Sequence, residues 1–148
     1  MENFAAPWML TGLKQGSLSL PVFPDRPLAM VAIDDIGAYG AAALANPGKF
    51  SGEVIELAGD ELTFPHAFAA ISKITGSKIN YIPMSYEDCE KYFGLDFTIM
   101  FRWFNDVGYI HNIPALTKKY GIPATNFSDY LKTAPWVKTF NSADSSQK

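Results

Sequence analysis

The sequence holds a single cysteine, Cys89, so it cannot build an internal disulfide framework, and it suits a reducing compartment. It also lacks an excess of basic charge. Twelve Lys and Arg stand against fifteen Asp and Glu, and a net charge of -3 leaves no field to hold a phosphate backbone. Nucleic acid is therefore not an expected partner. No apolar run approaches the ~20 residues of a membrane span, so no membrane insertion is expected. The opening residues have neither the basic start nor the apolar core of a secretion signal, which adds to the expectation of a cytoplasmic protein.

Chemical signatures are scarce as well. None of the eleven glycines falls into a G-x-G-x-x-G turn, and there is no P-loop, G-x-S-x-G elbow or H-E-x-x-H pair. No tyrosine is followed by a lysine four residues later. His66 and His111 stand far apart, without cysteine or histidine neighbours at ligand spacing, so no metal site is expected. What is abundant is apolar surface: 48% hydrophobic and 14% aromatic residues in 148 positions, enough for one globular domain.

The period of that apolar material alternates along the first half of the chain. Pro7 limits the opening stretch, with Phe4, Trp8, Met9 and Leu10, to a short helix. Residues 17–23 read as a strand running into Pro21, Pro24 and Pro27. Residues 28–33 form an unbroken apolar run, the mark of a strand covered on both faces. Asp34 or Asp35 then caps a helix whose apolar face is Ile36, Tyr39, Gly40, Ala43 and Leu44, stopped at Asn46-Pro47-Gly48. A strand is expected over 53–58, a helix capped by Thr63 and ended by Gly76, and another strand over 78–82. After Ser85, which opens an S-x-x-D cap with Asp88, the pattern is helical: around Cys89, over 96–107, over 114–120 and over 126–133. Residues 141–148 read as a frayed polar tail.

Alternating strands and helices followed by helices alone predict an α/β fold. Single residues carry little chemistry. Asp34-Asp35 reads as a cap before an acid pair, and His66 as a solvated surface residue before a general base. Cys89 reads as a small core residue before a nucleophile, and residues 97–104 as core before a ligand pocket. Asn126-Phe127-Ser128 is formally a glycosylation sequon, without meaning in the absence of a secretion signal.

Met1-Glu2-Asn3-Phe4, Val31-Ala32-Ile33-Asp34-Asp35-Ile36-Gly37 and Gly52-Glu53-Val54-Ile55-Glu56-Leu57-Ala58-Gly59 together resemble the NmrA-like family. The order of the later segments fits too: a Leu62-Thr63 helix start, a helix ending at Gly76, Tyr81 to Pro83, and a Phe-rich helix at Met100-Phe101-Arg102. The resemblance spans about residues 1–135. It implies an atypical short-chain dehydrogenase/reductase, with a Rossmann-type parallel sheet, flanking helices and a C-terminal helical subdomain for substrate or partner. Such proteins act as NADP(H) or NAD(H) redox sensors or as oxidoreductases.

In the family the glycine-rich loop lies in an N-terminal stretch ahead of the segment that here begins at Met1. The resemblance therefore implies a C-terminal fragment, with residues 1–83 as the later part of a Rossmann-like domain and 84–140 as the helical subdomain. By the same likeness Glu2 and Asn3 border the nicotinamide end of the cofactor. Phe4, Trp8, Phe97, Met100 and Phe101 border the substrate pocket, and Asp35 has a structural role. No residue is assigned a catalytic role. The fragment is expected to bind its dinucleotide only with the N-terminal half supplied, to be inactive alone, and to be marginally stable, self-associating or rearranged. The other class of function left open is a non-catalytic module that binds a protein partner. A small enzyme built on His66 and an aspartate has no supporting constellation.

Overall fold

The computed structural model describes residues 1–109 and 111–142. A single 3-10 turn, Glu2–Ala5, leads into α1 (Pro7–Lys14), which Pro7 starts at a position where its missing N–H costs nothing. Then come β1 (Ser17–Leu20), β2 (Leu28–Met30), α2 (Ile33–Ala45), the one-turn α3 (Pro47–Phe50) and β3 (Asp60–Leu62). They are followed by α4 (Phe64–Thr75), β4 (Asn80–Pro83), α5 (Tyr86–Phe93), α6 (Leu95–Asp106), α7 (Ile113–Tyr120), α8 (Phe127–Thr133) and α9 (Pro135–Lys138).

The fold is α/β, with a parallel strand pair flanked by helices. β1 and β4 run parallel, with Ser17 opposite Asn80 and Leu20 opposite Pro83. β2 and β3 form a separate antiparallel pair, with Leu28 opposite Leu62. Helix α1 covers β1 so closely that a Cβ on Gly12 would lie 2.6 Å from Leu18 Cδ1. Helix α4 packs on β4, burying Ala67, Phe68 and Ile71. Removing an aromatic or aliphatic side chain of that size from water contributes ~1.5–3 kcal/mol. Phe4 meets Phe64, Phe68 and Phe127 within 6.5 Å, and Phe64 stacks on Tyr81 at 5.7 Å. The same core extends from Met1 to Phe140, so the last helices return to the layer built by the first.

Local signals set several boundaries. Thr63 Oγ1 accepts from the His66 N–H, Ser85 Oγ from the Asp88 N–H and Asn126 Oδ1 from the Asp129 N–H, and these three polar caps start α4, α5 and α8. Gly76 ends α4 in the left-handed region, with φ 71°.

Four expectations are corrected. Residues 53–58 are not a strand. Val54 is 87% exposed and Glu53 turns outward to Lys119 and Tyr120, while pairing with the 28–30 segment falls to Asp60–Leu62. The 28–33 run is a strand only to Met30, and its side chains are half-buried; Ile33 starts α2 and is 60% exposed. The apolar face expected on α2 is largely solvent-facing, with Ile36 at 47% and Leu44 at 87% exposure and Tyr39 alone of the five buried. Neither Asp34 nor Asp35 caps α2, because Ala32 occupies that position and makes no side-chain cap. Asp35 is instead drawn inward to Thr125. The expected tail lies outside the described residues from 143 onward, whereas Asn141 donates to the Thr75 carbonyl at 2.8 Å.

Candidate functional site

In parallel α/β sheets, ligands collect beyond the carboxyl ends of the strands. Here that end of β1 is Leu20, and it forms part of a cavity of 230 Å³ with Trp8, Phe93, Phe97 and Phe101. Each wall has a local cause. Trp8 sits in the first turn of α1, Phe93 ends α5, and Phe97 and Phe101 are four residues apart on one face of α6. Gly94, at φ 89°, lets α5 turn directly into α6. The rings approach one another at tilted angles, Trp8 to Phe93 at 6.3 Å and Phe93 to Phe97 at 6.2 Å.

Polar groups brace this cavity from outside its walls. The buried Asn105 accepts from the Phe23 N–H at 2.9 Å and donates to the Pro21 carbonyl at 2.9 Å and to the Tyr86 hydroxyl at 2.6 Å. It thereby ties the end of α6 to the chain leaving β1. The Tyr81 hydroxyl reaches the carbonyls of Leu20, at 2.8 Å, and Val22. Burial pushes that hydroxyl up to about 12. It stays neutral and holds the strand end. The cavity wall contains no titratable side chain. It can receive and orient a flat apolar group, and it supplies no proton.

Of the five residues expected in a pocket, the structure gathers Trp8, Phe97 and Phe101 around this cavity. Phe4 is in the central core at 4% exposure, and Met100 is 37% exposed and outside the wall. Glu2 and Asn3 lie on the turn ahead of α1. Burial alone would raise the Glu2 carboxyl, but the Ile33 N–H, its own backbone N–H and the adjacent amino group outweigh it and hold it below the usual range. Asn3 is exposed. The wall of the aromatic cavity carries no basic side chain, and the sequence contains no G-x-G-x-x-G turn to grip a pyrophosphate. Nor, among the described residues, does any group of three His, Cys, Asp or Glu side chains suit a metal ion.

His66 lies at the surface with its Nδ1 3.0 Å from Thr63 Oγ1, and Cys89 is fully buried. Sequence reasoning missed Asn105, whose partners are distant in sequence. It also missed the junction where Asp35 accepts from the Thr125 N–H at 2.9 Å and from its hydroxyl at 2.6 Å. Gly59 completes that junction, since a Cβ there would meet the Thr125 carbonyl at 2.5 Å.

The model of the NmrA-like family matches residues 1–134. An NmrA-like family domain-containing protein of Dictyostelium discoideum is 30% identical over 110 residues, which are 68% of this chain and 34% of that protein. The fold is similar to a nucleoside-diphosphate-sugar epimerase from Staphylococcus aureus, with TM-score 0.68 and 20% identity over 86% of this chain and 47% of the other. It is also similar to an NADPH-dependent quinone oxidoreductase from Escherichia coli, with TM-score 0.59 and 24% identity over 86% of this chain and 49% of the other. The chain thus spans a third to a half of the length of these proteins. Among the described residues no helix is long and apolar enough to cross a membrane.

Proposed function

The chain belongs to the NmrA-like family, and we propose that it forms the substrate-side part of an NAD(P)(H)-binding protein of oxidoreductase or redox-sensor type. In this reading the dinucleotide phosphates are held by sequence outside these 148 residues, and the chain alone is inactive. The observation that carries it is the aromatic cavity at the carboxyl end of β1, apolar on every wall and without a proton donor. Such a cavity suits a flat ring that is oriented for chemistry performed by a cofactor, and it does not suit acid–base catalysis. The family match and the likeness to an NADPH-dependent quinone oxidoreductase support the same reading. So does the absence of a glycine-rich turn, because the backbone amides of that turn supply much of dinucleotide affinity. Buried Cys89 is consistent with a reducing, cytoplasmic setting.

The test is quenching of tryptophan emission by a 1,4-naphthoquinone. Saturable quenching that is lost in Trp8→Phe and weakened in Phe97→Ala is expected. Linear, non-saturating quenching that is equal in both variants would remove the substrate reading.

A second reading, a non-catalytic module for a protein partner, is favoured by the open surface around α5 and α6. Tyr92, Phe97, Ile99 and Trp103 there are 40–66% exposed. The two readings part on the cofactor. Supplying the glycine-rich N-terminal half of an NmrA-like protein restores NADPH binding under the first and leaves it absent under the second.

A further inference from the structure

A second cavity, of 280 Å³, opens on the other strand pair and is lined by Ala29, Val31, Glu56, Leu57, Tyr109 and His111. It shares no lining residue with the aromatic cavity, and its chemistry is independent of the proposed oxidoreductase or sensor role. Its wall contains an anomaly. The His111 side chain is 5% exposed, and neither ring nitrogen has a hydrogen-bond partner among the described residues. A neutral imidazole always carries one N–H donor and one lone pair, so neither need is met by the protein around it. The Glu61 carboxylate stands 3.5 Å from Nε2, close enough for attraction but well beyond a charge-assisted hydrogen bond of ~2.7–2.9 Å. It does not satisfy the ring.

The surroundings define the missing partner. Glu56 lies in the wall and Glu61 beside the imidazole, and no lysine or arginine lines the space. Arg26 approaches the neighbouring turn, but its guanidinium is engaged by the carbonyls of Phe104, at 2.8 Å, and Val107. With two carboxylates at the space and the neighbouring Arg26 guanidinium turned to backbone carbonyls, the site favours a cation over a phosphate or a carboxylate. Ala29, Val31 and Leu57 offer an apolar bed, and the half-exposed Tyr109 ring offers a face to a cation. The volume is near the lower end of small-molecule sites, ~300–1,000 Å³, so the occupant has about one ring.

We propose that this cavity binds a small organic amine, its ammonium on Glu56, its apolar body against Leu57 and Tyr109, and a further N–H on His111. The occupant lies against the imidazole in this wall, so binding changes the environment of His111 directly.

Only two histidines are present, and His66 is a surface residue away from this wall, which makes proton NMR of the imidazole signals a self-controlled test. Benzylamine, benzyl alcohol and benzoate are titrated separately into the full chain. The expected result is a saturable shift of the His111 signals with benzylamine, none for His66, and little response to the alcohol or to benzoate. Glu56→Gln, at an exposed position that leaves the fold intact, should weaken the amine several-fold. Failure of benzylamine to move His111, an equal response to benzyl alcohol or benzoate, or unchanged affinity in Glu56→Gln would each overturn the proposal.

Discussion

Asp35 accepts two hydrogen bonds from one residue, Thr125, ninety positions away, and the residue is 9% exposed. Bonds to a charged group are worth ~1.5–3 kcal/mol each, and removing the carboxylate leaves a buried N–H unmet. Asp35→Ala should therefore lower unfolding stability by about 2–4 kcal/mol in urea titrations, and Asp35→Asn by less, because one acceptor remains. A loss below ~0.5 kcal/mol for the alanine variant would show that the junction is incidental. Tyr81 gives a pH signature. Its folded hydroxyl titrates at about 12 against an ordinary value of 10.0, so the fold favours the neutral form. That contribution is complete below pH 10 and is lost as the pH rises towards 12. Unfolding midpoints at pH 9 and pH 11 should therefore draw closer between the wild type and Tyr81→Phe as the pH is raised. A constant gap would contradict the assignment.

At the level of the elements, α1 and β1 form the seat of the aromatic cavity, and their spacing depends on Gly12. A methyl group there would lie 2.6 Å from Leu18 Cδ1 and 3.1 Å from the Ser17 carbonyl, so the buried Leu18 must repack and the Ser17 carbonyl give by a few tenths of an ångström. Gly12→Ala should cost about 1–3 kcal/mol despite the better helix propensity of alanine, measured by chemical denaturation. A gain in stability would mean that α1 is not held against β1 as described. The elements also show how far a sequence can be read. Helices α4 and α5 were legible because Thr63 and Ser85 signal within three residues of the N–H groups they cap. The strand expected at 53–58 was misplaced because pairing is chosen by a distant partner. Once Gly59 donates to the Met30 carbonyl, the register falls on Asp60–Leu62. The cavity was legible in part: the family resemblance, and not the residue pattern, pointed to Trp8, Phe97 and Phe101, whereas Leu20 and Phe93 join them only through the tertiary fold. Phe4 carries the same aromatic character into the core instead, drawn there by Phe64, Phe68 and Phe127.

For the molecule as a whole, a two-stranded parallel pair is unusual, because parallel sheets are normally covered on both faces and extended at their edges. The chain also exposes Ile33, Ile36 and Leu44 on α2, and Tyr92, Leu95, Ile99 and Trp103 on α5 and α6, all by at least 40%. Each large apolar side chain left in water forgoes ~1.5–3 kcal/mol, against a typical domain stability of ~5–15 kcal/mol. The purified chain should accordingly show a mass that grows with concentration in sedimentation velocity and a melting temperature that depends on concentration. A monodisperse monomer with a sharp, concentration-independent melt would show that these faces need no cover.

The most direct measurement is a titration of NADPH into the purified 148-residue chain, followed by nicotinamide fluorescence. If these residues supply an apolar seat for a ring and no grip on the phosphates, the emission rises only in proportion to added NADPH. Saturable, tight one-to-one binding by the chain on its own would contradict that account.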